Sequence, residues 1–202
     1  MIDLSASAFI DLVSGRSGHF NMESGLHSAL WLDLDALFAV PARVEPFVVA
    51  LADLLRPFDV DVVCGPFLGG AFVAQRVAAL VGAEFWYTRP VQPTDGPGLY
   101  RARYRLPRAF ANRLSRPRVA LVDDVMSAGS SLRATNSEVF ASTDVVAVGA
   151  LLQLGGVGAD HFASLGIPVK TVAHQAFETW RPAECPHCAA GVPLETVAAS
   201  AA

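Results

Sequence analysis

Lysine is almost missing from this chain of 202 residues: of its 15 basic residues, Lys170 is the one lysine and the rest are arginines. Chemistry that needs an amine at the reacting centre therefore has a single candidate. Cysteine is scarce as well, with Cys64, Cys185 and Cys188 alone. An odd, low count argues against a disulfide framework. The opening MIDLSASAFIDLV lacks a basic region followed by an apolar stretch, so no secretory leader is expected, and a reducing cytoplasm is the expected location. No run of about eighteen apolar residues occurs, so no membrane span is expected. Charged residues make up only 17%, which argues against disorder. A net charge of −4 offers no global footprint for nucleic acid or an anionic membrane.

What is present is apolar: 52% of residues are hydrophobic, enough to bury the core of one compact domain with a small accessory lobe. The first forty residues mix short apolar runs with Gly, Ser and His. Pro41 opens a stretch, VEPFVVALADLLRPF, with helical apolar spacing, and Pro57 closes it. Strands and helices then alternate. The expected strands are 61–64, 84–88, 118–122, 144–152 and 169–172, and the expected helices are 69–81, 130–140 and 160–165. The span from Arg89 to Pro107 carries four Pro, two Gly and four Arg and reads as a long loop or loose hairpin. Residues 198–202 read as a frayed Ala-rich tail. Continuous apolar strands separated by helices imply a parallel sheet covered on both faces, an α/β fold. In such sheets ligands bind outside the carboxyl ends of the strands.

One segment carries most of the chemistry. In Val119–Ser131, VALVDDVMSAGSS, an apolar strand delivers Asp123 and Asp124, and a turn of small residues leads into a helix. Backbone N–H groups at a helix start attract phosphate. Ser127, Ser130 and Ser131 add hydroxyls, Ala128 lets the backbone approach, and Gly129 permits unusual dihedrals. The two carboxylates would repel a phosphate, but they suit hydroxyl donors. A phosphate beside a vicinal diol is a ribose 5-phosphate. A second Gly-rich turn, GPFLGG at 65–70, falls on the same rim and offers Gly69 and Gly70 for pyrophosphate. It lacks a Gly-Lys-Ser/Thr ending, so it is not a Walker loop.

The central run resembles the signature of type I phosphoribosyltransferases, which bind 5-phosphoribosyl-1-pyrophosphate (PRPP). Within that family, an Ala-Gly turn followed by Arg133 is most similar to orotate phosphoribosyltransferases. FNMESGLHSALWLDLDALF resembles their opening segment, a hood over the base, and GPFLGGAFVAQRVA resembles their pyrophosphate loop and following helix. The resemblance implies an α/β type I phosphoribosyltransferase fold, a parallel sheet flanked by helices with a small N-terminal hood. It divides a single domain into a hood (1–40), a core (41–180) and a C-terminal tail (181–202). It implies that Asp123 and Asp124 hold the ribose diol and that the loop at Ser127–Ser131 holds the 5-phosphate. It further implies Mg²⁺ bound with PRPP rather than by direct protein ligands, a heterocyclic base as acceptor, and a homodimer whose mobile loop reaches the neighbouring site.

Two positions depart from the family pattern. The mobile loop normally carries a catalytic lysine, whereas here Arg89, Arg101, Arg103 and Arg105 are the cations of the span. Alternation puts Arg101, Arg103 and Arg105 on one face of an extended segment, where guanidinium groups would stabilise departing pyrophosphate. Arginine stays charged and is a poor proton donor. At the base site, Glu23 stands where a lysine usually meets orotate; Arg133 could pair with it or bind the base itself, and Phe20 could stack on the base. His19 and His27 in the hood read as structural. The ending Cys185-Pro-His-Cys188 resembles half of a zinc site, with His187 and His174 as possible further ligands, against the alternative of a turn with two buried thiols.

Overall fold

The structure is a computed structural model and describes residues 3–91, 98–111 and 113–196. The expected tail at 198–202 and the middle of the Arg89–Pro107 span lie outside the described residues. A short helix α1 (Ala6–Ile10) precedes a hairpin of β1 (Ser14–Asn21) and β2 (His27–Asp33). The core then runs α2 (Pro41–Leu55), β3 (Val62–Pro66), α3 (Gly69–Val81), β4 (Glu84–Val91), β5 (Arg103–Arg105), β6 (Arg118–Met126), α4 (Ser130–Val139), β7 (Asp144–Leu154), α5 (Val157–Ser164) and β8 (Val169–Gln175). The chain closes with β9 (Thr179–Trp180), α6 (Pro186–Ala189) and β10 (Glu195–Thr196).

Six strands form the main sheet in the order β5-β4-β3-β6-β7-β8. All neighbours are parallel except β5, which folds back antiparallel on β4 with Arg89 opposite Arg105. The Arg89–Pro107 span is therefore a hairpin whose base is paired. Strand β6 runs four residues further than its apolar stretch suggests, through Met126, so Asp123 and Asp124 lie within it. Its parallel pairing with β7, reaching Met126↔Gln153, supplies the hydrogen bonds that carry the strand past its apolar part.

Burial explains the run-like strands. Val62, Val63 and Cys64 on β3, and Val119–Val122 on β6, are all fully buried, because helices cover both faces of the sheet. One face packs on α2 and α3, the other on α4 and α5 with Leu132, Val139 and Phe162. The long apolar side of α2 fits over β7 where Gly149 leaves room: a Cβ there would come 2.9 Å from Leu51 Cδ1.

The hood is a second sheet, in the order β10-β1-β2-β9. Residues from the chain's end thus complete it, β10 beside β1 and β9 beside β2. Strand β1 contains a bulge between Ser17 and Phe20. The extra residue breaks the alternation, so that consecutive His19 and Phe20 are both buried. Among the described residues, no helix is long and apolar enough to cross a membrane.

Leu51 has no exposed surface. Leu51→Ala should lower the unfolding free energy by about 3 kcal/mol, since the rigid sheet beneath cannot collapse into the space. Urea denaturation followed by circular dichroism measures it, and an unchanged midpoint would contradict the packing described.

Candidate active site

Two helix starts converge on the paired acids. Helix α4 begins after Gly129, whose φ of 71° lies in the left-handed region that favours glycine. Gly129 provides no side-chain cap, so the first N–H groups of α4 have no intrahelical acceptor and carry the positive end of the helix dipole. Among the described residues, the hydroxyls of Ser127 and Ser130 have no protein partner. The start of α5 packs beneath this turn: the Gly158 N–H donates to Ser127 O at 3.0 Å, and a Cβ on Gly158 would come 2.6 Å from that oxygen. The turn is therefore held from below and open above. Helix α3 likewise starts without a side-chain cap, at Leu68.

The acids are buried at 6% exposure each. Asp123 Oδ1 accepts the Asp124 N–H at 3.1 Å, and its Oδ2 accepts the Ser131 hydroxyl at 2.7 Å. Asp124 Oδ1 accepts the Val125 N–H at 2.7 Å. Ser131 thus orients Asp123 rather than presenting its hydroxyl to a phosphate. Opposite them lies the second Gly-rich turn. A Cβ on Gly70 would come 2.7 Å from Asp123 Oδ1, and one on Gly69 would collide with the Asp124 carboxylate. The glycines in GPFLGG are there because the backbone passes against the two carboxylates, which joins the two turns into one site.

Burial, then the neighbouring Asp124 charge, push the Asp123 carboxyl well above the usual carboxylate range, with the Ser131 hydrogen bond opposing them. Burial also raises Asp124. The two titrate as a pair. Ligand hydroxyls donating to these oxygens would favour the charged form.

The described end of the arginine hairpin folds over this site. The Tyr100 N–H donates to Ser24 O at 2.8 Å, joining the loop to the hood's turn. The Arg133 guanidinium sits 4.1 Å from the centroid of the Tyr100 ring. Arg133 also donates to Ala128 O at 2.8 Å and Val157 O at 3.0 Å, so it braces the turn before α4 against α5. Arg105 pairs with Glu138 on α4 at 3.0 Å. Arg101 and Arg103 have no ion-pair partner among the described residues. Arg89 donates to the Tyr87 hydroxyl at 2.8 Å. A cavity of about 560 Å³ lies between this segment and α4, lined by Arg101, Arg103, Ser130, Arg133 and His161 among others. It meets the start of α4 at Ser130 and is not lined by the carboxylates.

One expectation about a side chain changes, at Phe20. Phe20 is 1% exposed inside the hood, so its ring is not presented to a base. Glu23 accepts the Tyr104 hydroxyl at 3.3 Å, and among the described residues it makes no ion pair with Arg133. Lys170 lies over Phe58, 5.8 Å from the ring centroid, on β8 and away from the site. The tyrosines were missed. Tyr104 sits on the buried side of β5, while Arg103 and Arg105 are exposed. Its hydroxyl is held protonated, first by burial and then by the charges of Glu23, Asp123 and Asp124. The alternation in Arg-Tyr-Arg was the available signal.

Comparison with known proteins places this geometry. No family model matches the chain. Orotate phosphoribosyltransferase of Thermoanaerobacter sp. (strain X514) is 30% identical over 180 residues, covering 89% of this chain and 87% of that protein. The chain belongs to the orotate phosphoribosyltransferase family. The enzyme of that name from Caldicellulosiruptor bescii is 28% identical over 193 residues, 95% of this chain and 94% of that protein. The fold agrees with the crystal structure of orotate phosphoribosyltransferase from Aeropyrum pernix, at a TM-score of 0.65 and 19% identity, over 85% of this chain and 94% of that one. It is the type I phosphoribosyltransferase fold.

The raised acids set a sign for stability. The folded chain keeps protons that the unfolded chain releases, so between the ordinary carboxylate value and the raised one, stability falls as pH rises. Asp123→Asn removes this penalty. In ligand-free protein at pH 8 its melting temperature should exceed wild type, by about 2–4 °C per kcal/mol relieved, and the gap should close towards pH 4. A thermal unfolding series measures it; wild type more stable at pH 8 would show the pair is not desolvated.

Proposed function

We propose that this protein is a pentosyltransferase that moves the 5-phosphoribosyl group of PRPP to orotate, forming orotidine 5′-monophosphate and pyrophosphate in pyrimidine biosynthesis. One observation carries the reading: an uncapped helix start lies beside two buried carboxylates, which a glycine-only backbone faces from the opposite turn. Ala128, Gly129, Ser130 and Ser131 offer N–H groups to the 5-phosphate, with the Ser127 and Ser130 hydroxyls beside them. Asp123 and Asp124 accept the ribose 2- and 3-hydroxyls. Gly69 and Gly70, at the start of α3, let pyrophosphate approach the backbone.

In the reaction, the bond from C1 to the pyrophosphate oxygen breaks and pyrophosphate leaves with the electron pair. A ring nitrogen of the base forms the new bond from the opposite face. The sugar becomes cation-like, and the Asp124 carboxylate would steady it. Arg101 and Arg103, with no ion-pair partner among the described residues, supply positive charge to the leaving group, and Arg89 and Arg105 extend the basic face. The residues fit Mg²⁺ carried in by the substrate. Among the described residues no carboxylate-only group is spaced for a metal, whereas Mg²⁺ characteristically binds substrate phosphates through few protein ligands. Asp123 and Asp124 would hold it through water, and when bound it neutralises pyrophosphate charge. For the base, Arg133 matches the orotate carboxylate, and Glu23, turned to Tyr104, stays at the edge of the pocket.

The same reading makes the protein a cytoplasmic homodimer. Phe67, Leu68 and Phe72, beside the pyrophosphate turn, are 42%, 45% and 41% exposed, and they supply apolar surface for a second copy. A regulatory PRPP-binding role is the second reading, favoured by a site whose cations are all arginines. It binds PRPP without turnover.

Incubation of the protein with PRPP, Mg²⁺ and a panel of bases should release pyrophosphate with orotate and not with adenine. Release with another base alone would reassign the acceptor. Binding of PRPP without release for any base would favour the regulatory reading.

Arg101, Arg103 and Arg105 replaced together by Ala should lower turnover more than PRPP binding. Mixed and reassembled with Asp124→Asn, that variant should recover up to about a quarter of wild-type turnover if the loop serves the neighbouring site. Absence of recovery would place the loop on its own protomer's site.

A further inference from the structure

The hood and the C-terminal turn meet at a cluster that the transfer reaction does not use. His19 Nε2, His27 Nδ1, Cys185 Sγ and Cys188 Sγ all lie within 4.8 Å of one another. His19 Nε2 is 3.0 Å from His27 Nδ1, 3.3 Å from Cys185 Sγ and 3.7 Å from Cys188 Sγ, and Cys188 Sγ is 3.3 Å from His27 Nδ1. We propose that these four residues form a closed tetrahedral zinc site that clasps the hood to the chain's end.

The spacing carries the argument. A tetrahedral zinc ion with Zn–N of about 2.0–2.1 Å and Zn–S of about 2.3 Å sets its ligand atoms about 3.3 Å apart for two nitrogens and about 3.5 Å for nitrogen and sulfur. Four of the six edges, at 3.0, 3.3, 3.7 and 3.3 Å, lie within about 0.3 Å of those values, and all six lie within 4.8 Å. Two thiols and two imidazoles form a Cys₂His₂ set, a ligand softness and geometry that select zinc over magnesium or calcium.

The surroundings hold the first histidine as a ligand. Val192 O lies 2.9 Å from His19 Nδ1. A proton on Nδ1, donated to that carbonyl, leaves the Nε2 lone pair facing the cluster, the support that metal-bound histidines characteristically have. The carbonyl is positioned by the same turn that presents the cysteines: Val192 N–H donates to His187 O at 2.9 Å, and Gly191, at φ 68°, reverses the chain. The β1 bulge is what brings His19 inward beside His27. His187 stacks on His19 at 5.4 Å between centroids and lies outside the ligand group, as does His174 on β8.

Position supplies the role. Asn21 pairs with His27 across the hairpin, so the two histidines flank the turn that carries Glu23 to Tyr104 and Ser24 to Tyr100. The zinc ties the root of that turn to Cys185 and Cys188, more than 150 residues later. Among the described residues, strands β9 and β10 offer two residues each, a short backbone pairing that the metal would reinforce. The zinc assignment is independent of which base the protein uses.

Protein made without a histidine tag, desalted and kept folded, should carry about one zinc per chain by elemental analysis and native mass spectrometry. Grown with cobalt in place of zinc, it should show the thiolate-to-cobalt absorption and strong visible bands of a tetrahedral site. Cys188→Ser and His27→Ala should lose the metal, while His187→Ala and Cys64→Ala keep it. Stripping the metal from wild type should speed hydrogen exchange in β1 and β2 and leave β6 unchanged. Folded wild type that takes up neither zinc nor cobalt would overturn the proposal, leaving a hydrogen-bonded histidine pair beside two thiols. Loss of metal in His187→Ala with retention in His27→Ala would overturn the ligand set.

Discussion

Burial of two adjacent carboxylates at the carboxyl end of β6 is the constraint around which the rest is arranged. Carboxylates so placed are costly unless hydrogen-bonded. The chain answers with the Asp124 and Val125 N–H groups and with the Ser131 hydroxyl. It then leaves no room above them for any side chain, so Gly69 and Gly70 must be glycine. Hydroxyl donors reaching these oxygens would offset the raised proton affinity. Binding energy and instability of the empty site are thus two aspects of one arrangement, since a group left undersatisfied in the free protein interacts strongly with the ligand that completes it.

The pieces around the acids depend on contacts between elements distant in sequence. The start of α5 supports the phosphate turn through Gly158, and Arg133 bridges from α4 to the carbonyls of both. Tyr100 is held from two sides, by Ser24 of the hood and by the Arg133 face. The hood's turn, the arginine hairpin and α4 therefore form one connected lid over the rim. Anything that loosens the hood loosens the approach to the site. This is why a metal at the hood's root would matter to a reaction in which it takes no part.

Arginine in place of lysine alters what the loop can contribute. A guanidinium delivers charge and directional hydrogen bonds but holds its proton. Arg101 and Arg103 are suited to compensate a departing pyrophosphate and poorly suited to protonate it. Pyrophosphate complexed with a divalent cation is already a competent leaving group, so charge compensation is the larger demand.

Much of this was legible in the residues. The alternation of apolar strands with helices is local patterning, and burial on both faces writes it as continuous runs, so the α/β architecture and the small-residue turn after β6 followed from composition and period. The pairing of Asp-Asp with a small-residue turn pointed to ribose 5-phosphate because chemistry at that spacing is local too. Other features depended on packing between distant segments. That Gly69 and Gly70 face the acids, that Ser131 turns to Asp123, and that Phe20 is buried while Tyr104 reaches Glu23 are all consequences of tertiary contact. The metal cluster is the clearest case. Cys185-Pro-His-Cys188 resembled half of a zinc site, with His187 inside it and His174 as possible further ligands. The partners the structure brings are His19 and His27, delivered by a bulge and by a hairpin register that no local pattern records. Sequence determined which chemistry each segment can perform, because that depends on side chains close along the chain. Only the fold decided which segments act together, because that depends on which surfaces can be buried against each other.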